Sequence, residues 1–250
     1  MIYSGFLFFN ELDLLRIKLE ETRDLDIKHI LVQCNYTFSG KPKEMLFERS
    51  MIPSHFDLKN IELMMDKPDP NPWLNEQFQR NSIMMGLHHL QDDDIFILSD
   101  VDEIVKKEAI EAFKPEMGCA FLVMDKMLYY LNVIEGRQTW NVPKICTGRY
   151  LRNYSPDRIR NSGAPSIIMN AGWHFSYAGG HDSIMKKAAS FSHQEEEVQK
   201  HLTSENIKRK LANIESLWSD DKLEVVEIDD TFPRYVRENK EELQHLIYKP

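Results

Sequence analysis

One segment of the sequence, DDDIFILSDVDEI at residues 92–104, constrains the fold most strongly. Its apolar run, Ile95–Leu98, has the length of a single buried strand and lies between two groups of acidic residues. An uninterrupted apolar run is typical of a strand in a parallel sheet, which other elements cover on both faces. Asp100 and Asp102 would then follow the carboxyl end of this strand, where open α/β sheets bind their ligands.

The two aspartates of this segment predict a metal site. If residues 100–102 are extended, both carboxylates lie on one side of the chain and Val101 turns toward the protein. Carboxylate oxygens suit Mg²⁺ or Mn²⁺, and such ions commonly take one or two carboxylates while substrate phosphates complete the shell. The pattern therefore predicts a metal-bridged diphosphate, as in a nucleotide-sugar. A solvated acidic turn is the alternative that a D-x-D pair leaves open.

The pattern of the other elements predicts an α/β fold. Residues 6–9 and Ile27–Cys34 are predicted strands and flank a helical stretch for which Asn10 is a plausible N-cap, so the chain opens as a β-α-β unit. A third strand is expected at residues 61–65 and a helix at residues 74–90. In the second half, strands follow one another without helical crossovers, which predicts a mixed or antiparallel arrangement.

Composition and charge limit the class of protein. A chain of 250 residues with 42% hydrophobic and 28% charged residues is ordinary for a globular domain. The net charge of -9 disfavours non-specific binding of nucleic acid. The widely spaced Cys34, Cys119 and Cys146 are expected to be reduced core residues. No stretch reaches the ~18 apolar residues of a membrane span, so a cytoplasmic protein without a transmembrane segment is expected.

A second informative segment lies at residues 170–195 and combines Gly172, Trp173 and His174 with a Gly-Gly pair. Glycines at this density permit close approach of the backbone to a ligand. His174 is a candidate third metal ligand, because imidazole also binds such ions. A hydrogen-bonded core histidine is the alternative.

Three polar residues on predicted helices could reach the same crevice. Arg80 lies in the helix that precedes the acidic strand, and Lys187 lies in the helix of the second segment. Either cation could contact phosphate oxygens, and a solvated side chain is the alternative for both. Asp182 could cap its helix or act as a general base. The tail, residues 196–250, shows no recognisable chemistry and is expected to cover the sheet or to pair with a second copy as a homodimer.

With these residues in view, the chain resembles glycosyltransferase family 17. The matching motifs, in chain order, are NELDLL (10–15), TFSGKPK (37–43), Arg80, DDDIFILSDVDEI (92–104), AGWHFS (171–176) and DSIMKKAASFSH (182–193). The resemblance implies a GT-A type fold, with a Rossmann-like mixed sheet flanked by helices. It also implies a UDP-sugar donor, which is UDP-GlcNAc in characterised members, Mn²⁺ or Mg²⁺ at the D-x-D pair, and inversion at the anomeric carbon.

The resemblance further implies an organisation for the chain. We expect one domain over residues 1–250, with a nucleotide-sugar-binding half at 1–118, an acceptor and metal half at 119–195, and a helical tail at 196–250. Such an enzyme would transfer a sugar, GlcNAc in the expected case, to a hydroxyl of a glycan or glycoconjugate. The animal enzymes are anchored in the Golgi membrane by an N-terminal helix that this sequence lacks, so a free-standing bacterial or viral member is expected.

The expected roles of individual residues follow from the same match. They are metal ligands at Asp100, Asp102 and His174, donor-binding residues at Asn10, Glu11, Arg80, Asp100 and Lys187, an acceptor-binding Trp173, and a catalytic base at Asp182 with Glu103 and Asp125 in reserve. Two other classes stay open. A haloacid-dehalogenase-like phosphatase also places D-x-D after an apolar strand, and the tryptophans Trp73, Trp140 and Trp173 would suit a non-catalytic carbohydrate-binding protein.

Overall fold

The computed structural model describes residues 1–249, apart from the side chains of residues 137 and 138. The predicted mixed α/β class is confirmed, but the strands form two mixed sheets where a single sheet was expected. Helices flank both sheets.

The strands, in chain order, are β1 (Ile2–Leu7), β2 (Ile27–Cys34), β3 (Leu58–Leu63), β4 (Ile95–Leu98), β5 (Glu103–Val105), β6 (Cys119–Leu122), β7 (Met124–Leu128), β8 (Val133–Trp140), β9 (Lys144–Thr147), β10 (Ser166–Ile168), β11 (Gly172–Ser176) and β12 (Glu224–Val225). The α-helices are α1 (Leu12–Glu21), α2 (Pro72–Asn81), α3 (Lys107–Ala112), α4 (Gly148–Asn153), α5 (Pro156–Asn161), α6 (Gly180–Ala188), α7 (Glu196–Gln199), α8 (Ser204–Asn213) and α9 (Arg234–Glu238). Short 3-10 helices occupy Arg49–Met51, Ser82–Gly86, Pro115–Met117 and Gln244–Leu246.

The first sheet has seven strands in the order β10-β6-β9-β4-β1-β2-β3. Its strands β3, β2, β1 and β4 are parallel neighbours, and β9 runs antiparallel to β4. Ile30 and Val32 of β2 pack on one face, whereas Leu31 packs on the other with Leu15 and Leu19 of α1. Both faces of this sheet are therefore covered, which explains why β4 reads as an uninterrupted apolar run.

The second sheet has five strands in the order β12-β8-β7-β11-β5. Its edge strand β5 begins at Glu103, only five residues after β4 ends, and pairs antiparallel with β11 so that Glu103 faces His174. The acidic segment thus leaves the first sheet and enters the second. Asp100 and Asp102 lie in the turn that joins the two sheets.

Two local expectations are corrected by packing. The helix expected at residues 74–90 ends at Asn81 and continues as a 3-10 helix, in which Ile83 is fully buried in the core. Asn10 is not the N-cap of α1. Glu11 holds that position, and its carboxylate accepts hydrogen bonds from the backbone N–H groups of Phe9 and Asn10.

The tail packs on the second sheet. Phe232, Val236, Leu243 and Leu246 join a buried cluster that includes Trp173 of β11. This arrangement fits the expected covering role, and the homodimer stays a prediction. Among residues 1–249, no helix combines the length and the apolar character that crossing a membrane requires.

Candidate active site

A cavity of about 480 Å³ opens where the acidic turn joins the two sheets. Its wall includes Leu7 at the carboxyl end of β1, the turn residues Asp100 and Asp102, and side chains from α2, β11 and α6. The volume lies within the range of small-molecule sites. The predicted position of the ligand, outside the carboxyl ends of the parallel strands, therefore coincides with a cavity.

The acidic segment forms a tight turn instead of the extended chain that was expected. The backbone N–H of Glu103 donates to the carbonyl oxygen of Asp100 at 3.0 Å, and Val101 is buried as predicted. Lys18 of α1 lies beneath this turn. Its Nζ donates to Ser99 Oγ at 2.7 Å and to the carbonyl oxygens of Asp100 at 3.0 Å and Glu103 at 2.8 Å.

Lys18 is a residue that the sequence analysis missed. Burial lowers the pKa of its ammonium group to about 8. The signal was present in α1, because Lys18 falls among Leu14, Leu15 and Leu19 in the buried part of the helix. A lysine in such a position needs buried acceptors, and the carbonyl groups of the acidic turn supply them.

Asp100 faces two arginines. Its Oδ2 lies 2.8 Å from a guanidinium nitrogen of Arg160 in α5 and 3.9 Å from one of Arg80 in α2. Burial raises the pKa of Asp100, and Arg160 opposes that rise. Arg160 comes from a helix that the sequence analysis did not connect with the site.

Glu103 has a structural role in this arrangement. It is fully buried, accepts two 2.7 Å hydrogen bonds from Arg160, and accepts a third at 2.5 Å from the indole N–H of Trp140. Although burial opposes ionisation, Arg160 lowers the pKa of Glu103 to about 2. A carboxylate with so low a pKa and both oxygens engaged is poorly suited to the reserve role of catalytic base.

Asp102 is paired with Lys187 of α6, whose Nζ lies 2.6 Å from Oδ2 of the aspartate. The Nε2 of His174 lies 3.7 Å from the same oxygen. Burial would raise the pKa of Asp102, but Lys187 and His174 hold it far below its usual value. His174 also stacks on Trp140, with ring centroids 4.3 Å apart.

Arg80 is buried at the cavity wall, where the sequence analysis expected it. It contacts Glu76 at 2.5 Å and Asp157 at 3.1 Å, in addition to Asp100. Asp100 and Glu76 raise the pKa of the guanidinium group despite its burial. Arg80 is therefore a fixed positive charge that faces the cavity.

The remaining expected donor residues lie close together. Glu11 lines the main cavity, and Asn10 lines an adjoining cavity of about 170 Å³ that shares Glu11, Asp102 and Lys187 with it.

Trp173 and Asp182, the expected acceptor-binding residue and catalytic base, do not line the main cavity. Trp173 is only 3% exposed and packs in the core beneath the tail, so it has no free face for a sugar. The side chain of Asp182 is fully exposed and contacts His181 at 2.8 Å, outside the wall of the main cavity. Asp125 in β7 does not line that cavity either. The pattern of residue types could not show which side of β11 or α6 would face the site.

A group that the sequence analysis did not connect with the acidic segment lies at the mouth of the cavity. Trp73, at the start of α2, is 42% exposed, and its indole N–H donates to Glu195 at 3.2 Å. His193 packs edge-on against Trp73, with ring centroids 4.6 Å apart, and its Nδ1 lies 3.4 Å from Glu195. The signal was the dense cluster of aromatic and polar residues directly after α6.

A divalent metal ion at this site would have Asp100, Asp102 and His174 as its protein ligands. Within the described residues, no three His, Cys, Asp or Glu side chains converge as a ready-made metal cage. The three residues nevertheless all border the cavity, and His174 Nδ1 is buried without a protein partner. Two carboxylates and an imidazole suit an ion whose remaining ligands come from a substrate diphosphate. Because Oδ2 of Asp100 is paired with Arg160 and Oδ2 of Asp102 with Lys187, the ion would share these carboxylates with the two cations.

Comparison with curated proteins gives weak but consistent matches. Over 112 residues the chain is 24% identical to the human and the rat proteins named beta-1,4-mannosyl-glycoprotein 4-beta-N-acetylglucosaminyltransferase. The match covers 40% of this chain and 21% of each relative, so it spans about a fifth of their length.

Comparison with protein families is more extensive. The sequence model of glycosyltransferase family 17 matches residues 1–220, which is most of the chain. The family that the motifs predicted is confirmed, and with it the general class of glycosyltransferase. The chain belongs to glycosyltransferase family 17.

Proposed function

We propose that this protein transfers GlcNAc from UDP-GlcNAc to a hydroxyl of a glycan, with inversion at the anomeric carbon and with Mn²⁺ or Mg²⁺ as cofactor. The class of reaction rests on the family. The choice of GlcNAc rests on the name of the curated relatives. We also propose that the parallel order β3-β2-β1-β4, with the acidic turn after β4, is the nucleotide-binding part of a GT-A type fold.

The observation that carries this proposal is a set of buried polar atoms on the cavity wall. Lys43 Nζ, Arg80 Nε and His174 Nδ1 are buried and have no hydrogen-bond partner in the described part of the protein, and all three residues line the cavity. Leaving such atoms unpaired costs about 1–3 kcal/mol each. A nucleoside diphosphate would supply acceptor oxygens for the two cations.

The donor would lie along the cationic side of the cavity. Lys43 and Phe9 line the cavity, and Nζ of Lys43 lies 5.3 Å from the ring centroid of Phe9, just after β1. Lys186, outside the wall, contacts the same ring at 5.3 Å. Burial lowers the pKa of Lys43, which is the expected effect when an ammonium group lacks a partner. A phosphate near Lys43 would remove that unfavourable burial.

Asp100 and Asp102, with His174, would hold the metal. The ion would neutralise negative charge that develops on the leaving diphosphate, a contribution that is usually several kcal/mol. Arg80 and Lys187 are fixed cations of the protein that would stabilise the same developing charge. Because Lys187 is bonded to Asp102, its position is set before the donor arrives.

The acceptor would enter at the aromatic mouth. Trp73 and Trp218 line the cavity and are 42% and 38% exposed, so both leave apolar ring surface for a sugar. We propose that Trp73 takes the role that the sequence analysis gave to Trp173.

The proposal is tested by measuring release of nucleotide from UDP-GlcNAc, UDP-glucose, UDP-galactose and GDP-mannose, with MnCl₂, with MgCl₂ and with EDTA. We expect UDP-GlcNAc to be the preferred donor and EDTA to abolish release. Preference for GDP-mannose would contradict the donor, and full activity in EDTA would contradict the metal. Phosphate release from a generic phosphoester, which we do not expect, would favour the phosphatase alternative.

A further inference from the structure

The cavity mouth contains a histidine that is oriented by a carboxylate. The Nδ1 of His193 lies 3.4 Å from Oε2 of Glu195, and the other oxygen of Glu195 accepts the indole N–H of Trp73 at 3.2 Å. The Trp73 ring also packs against the imidazole. The orientation of His193 is therefore fixed from two sides.

The carboxylate also selects a tautomer. A carboxylate beside Nδ1 favours a proton on that nitrogen, which leaves the lone pair on Nε2. Within the described part of the chain, the His193 ring contacts Glu195 through Nδ1 and the rings of Trp73 and Phe191, and Nε2 has no hydrogen-bond partner. A base that is oriented by a third group and has one free nitrogen is the arrangement that nucleophile activation uses.

The segment that carries His193 is tied to the donor side of the cavity. The hydroxyl of Ser192 donates to Glu76, and Glu76 pairs with Arg80. Arg80 in turn faces Asp100. This chain of contacts fixes the neighbouring His193 relative to the acidic turn.

The carboxylates on the cavity wall are already engaged. Each carboxylate there has a cation or backbone N–H groups as partners: Glu11 with Phe9 and Asn10, Glu76 with Arg80, Asp100 with Arg160, Asp102 with Lys187, and Glu103 with Arg160. His174 lies beside Asp102, and the proposed function assigns it to the metal site. His193 is half exposed, so a hydroxyl can reach it.

We infer that His193 is the general base of the transfer reaction and that Glu195 and Trp73 are its positioning residues. This step rests on the proposed function. The proton of the acceptor hydroxyl moves to Nε2 of His193 while the hydroxyl oxygen forms a bond to the anomeric carbon. The bond from that carbon to the phosphate oxygen breaks, and its electron pair leaves with UDP. The imidazolium then returns its proton to water.

The step is tested with UDP-GlcNAc and two nucleophiles that differ in their need for a base. Water must lose a proton when it attacks the sugar, whereas azide ion attacks without losing one. We compare UDP release by the wild type, His193→Gln and Glu195→Gln, with and without sodium azide. His55→Gln is the matched control, because His55 also packs on an aromatic ring, Phe56, but does not line the cavity.

In water, we expect kcat to fall about 100-fold in His193→Gln, the usual contribution of a general base. The KM for UDP-GlcNAc should change less than about 2-fold, since the base contacts the nucleophile and not the donor. We expect Glu195→Gln to lose about 10-fold, because it acts through His193, and His55→Gln to match the wild type. Azide should bring His193→Gln to within about 3-fold of the wild type with azide, with glycosyl azide as product.

The outcomes separate this step from the proposed function. A wild type that releases no UDP refutes the proposed function and this step with it. If the wild type is active and His193→Gln is equally active, the role of His193 as base is refuted, whereas the proposed function is not. Failure of azide to restore the variant, while its thermal unfolding matches the wild type, also refutes the role of base.

Discussion

The Nζ of Lys187 lies 2.6 Å from Oδ2 of Asp102, so the second aspartate of the acidic turn is already neutralised by a cation from α6. The first aspartate, Asp100, lies 2.8 Å from Arg160 and shares that cation with Glu103. The protein thus fixes the two carboxylates with cations drawn from two other helices. These cations offset the repulsion between the two carboxylates of the turn.

The Asp102–Lys187 pair gives a first prediction. Asp102→Asn should destabilise the protein by about 1–2 kcal/mol, because it leaves Lys187 partly buried without its charged partner. It should also lower UDP release from UDP-GlcNAc at least about 100-fold. Adding Lys187→Met should restore stability without restoring activity. Urea unfolding and UDP release measure the two effects, and a double variant as unstable as Asp102→Asn would contradict the pairing argument.

Lys43 gives a second prediction, in which binding and stability change in opposite directions. Lys43→Met removes a buried, unpartnered ammonium group and should stabilise the free protein by about 1 kcal/mol. It should weaken UDP binding about 10-fold or more, because a charge-assisted contact is lost. Thermal unfolding and calorimetric titration with UDP provide the readouts.

Lys41→Met is the control for this prediction. Lys41 lies in the same loop but is exposed, and it does not line the cavity. It should change neither stability nor UDP affinity. Equal weakening of UDP binding by both variants would show that the loop acts only through its general charge.

His29 gives a prediction about acid stability. This residue of β2 is buried, its Nδ1 has no partner, and burial lowers the pKa of its imidazole to about 3. The unfolded chain takes up the proton below pH 6.5, whereas the folded protein does not until about pH 3. Stability is therefore lost as the pH falls through this window, with a slope that approaches about 1.4 kcal/mol per pH unit.

The measurement compares urea unfolding of the wild type and His29→Leu between pH 7 and pH 4. The leucine variant should lose less stability over this range, because it has no proton to exclude. Parallel stability curves for the two proteins would show that His29 does not cause the acid sensitivity.

Gly172 gives a prediction about how the sheets support the site. Its φ is +150°, and a Cβ atom there would lie 1.9 Å from the carbonyl oxygen of Ile104 in β5. Gly172→Ala should therefore push β11 away from β5 and cost about 3 kcal/mol. Because β5 directly follows the acidic turn, UDP release should fall as well.

Gly163→Ala is the matched control, since no atom lies within 4 Å of the position that its Cβ would take. Its stability should stay within about 0.5 kcal/mol of the wild type. Equal thermal unfolding temperatures for Gly172→Ala and Gly163→Ala would refute the claim that close strand approach constrains position 172.

The sequence indicated correctly that Ile95–Leu98 is a buried strand of a parallel region. Its motifs also identified the family. Such features depend on short stretches of chain, because burial on both sheet faces imposes an apolar run and a functional loop keeps its residue types together. The expected residues Arg80, His174 and Lys187 also reach the cavity, although their roles stay proposals.

Tertiary structure alone decided which charges meet. Arg160 reaches Asp100 and Glu103 across about 60 positions of sequence, and Lys18 reaches the same turn across more than 80. The tertiary structure also leaves the side chain of Asp182 exposed to solvent, and it brings His193 and Trp73 together at the mouth of the cavity. The physical reason is that a side chain's direction and its distant partners depend on how the two sheets and the helices pack. Spacing along a single strand or helix indicates which face is buried, but not which distant residues pack against that face.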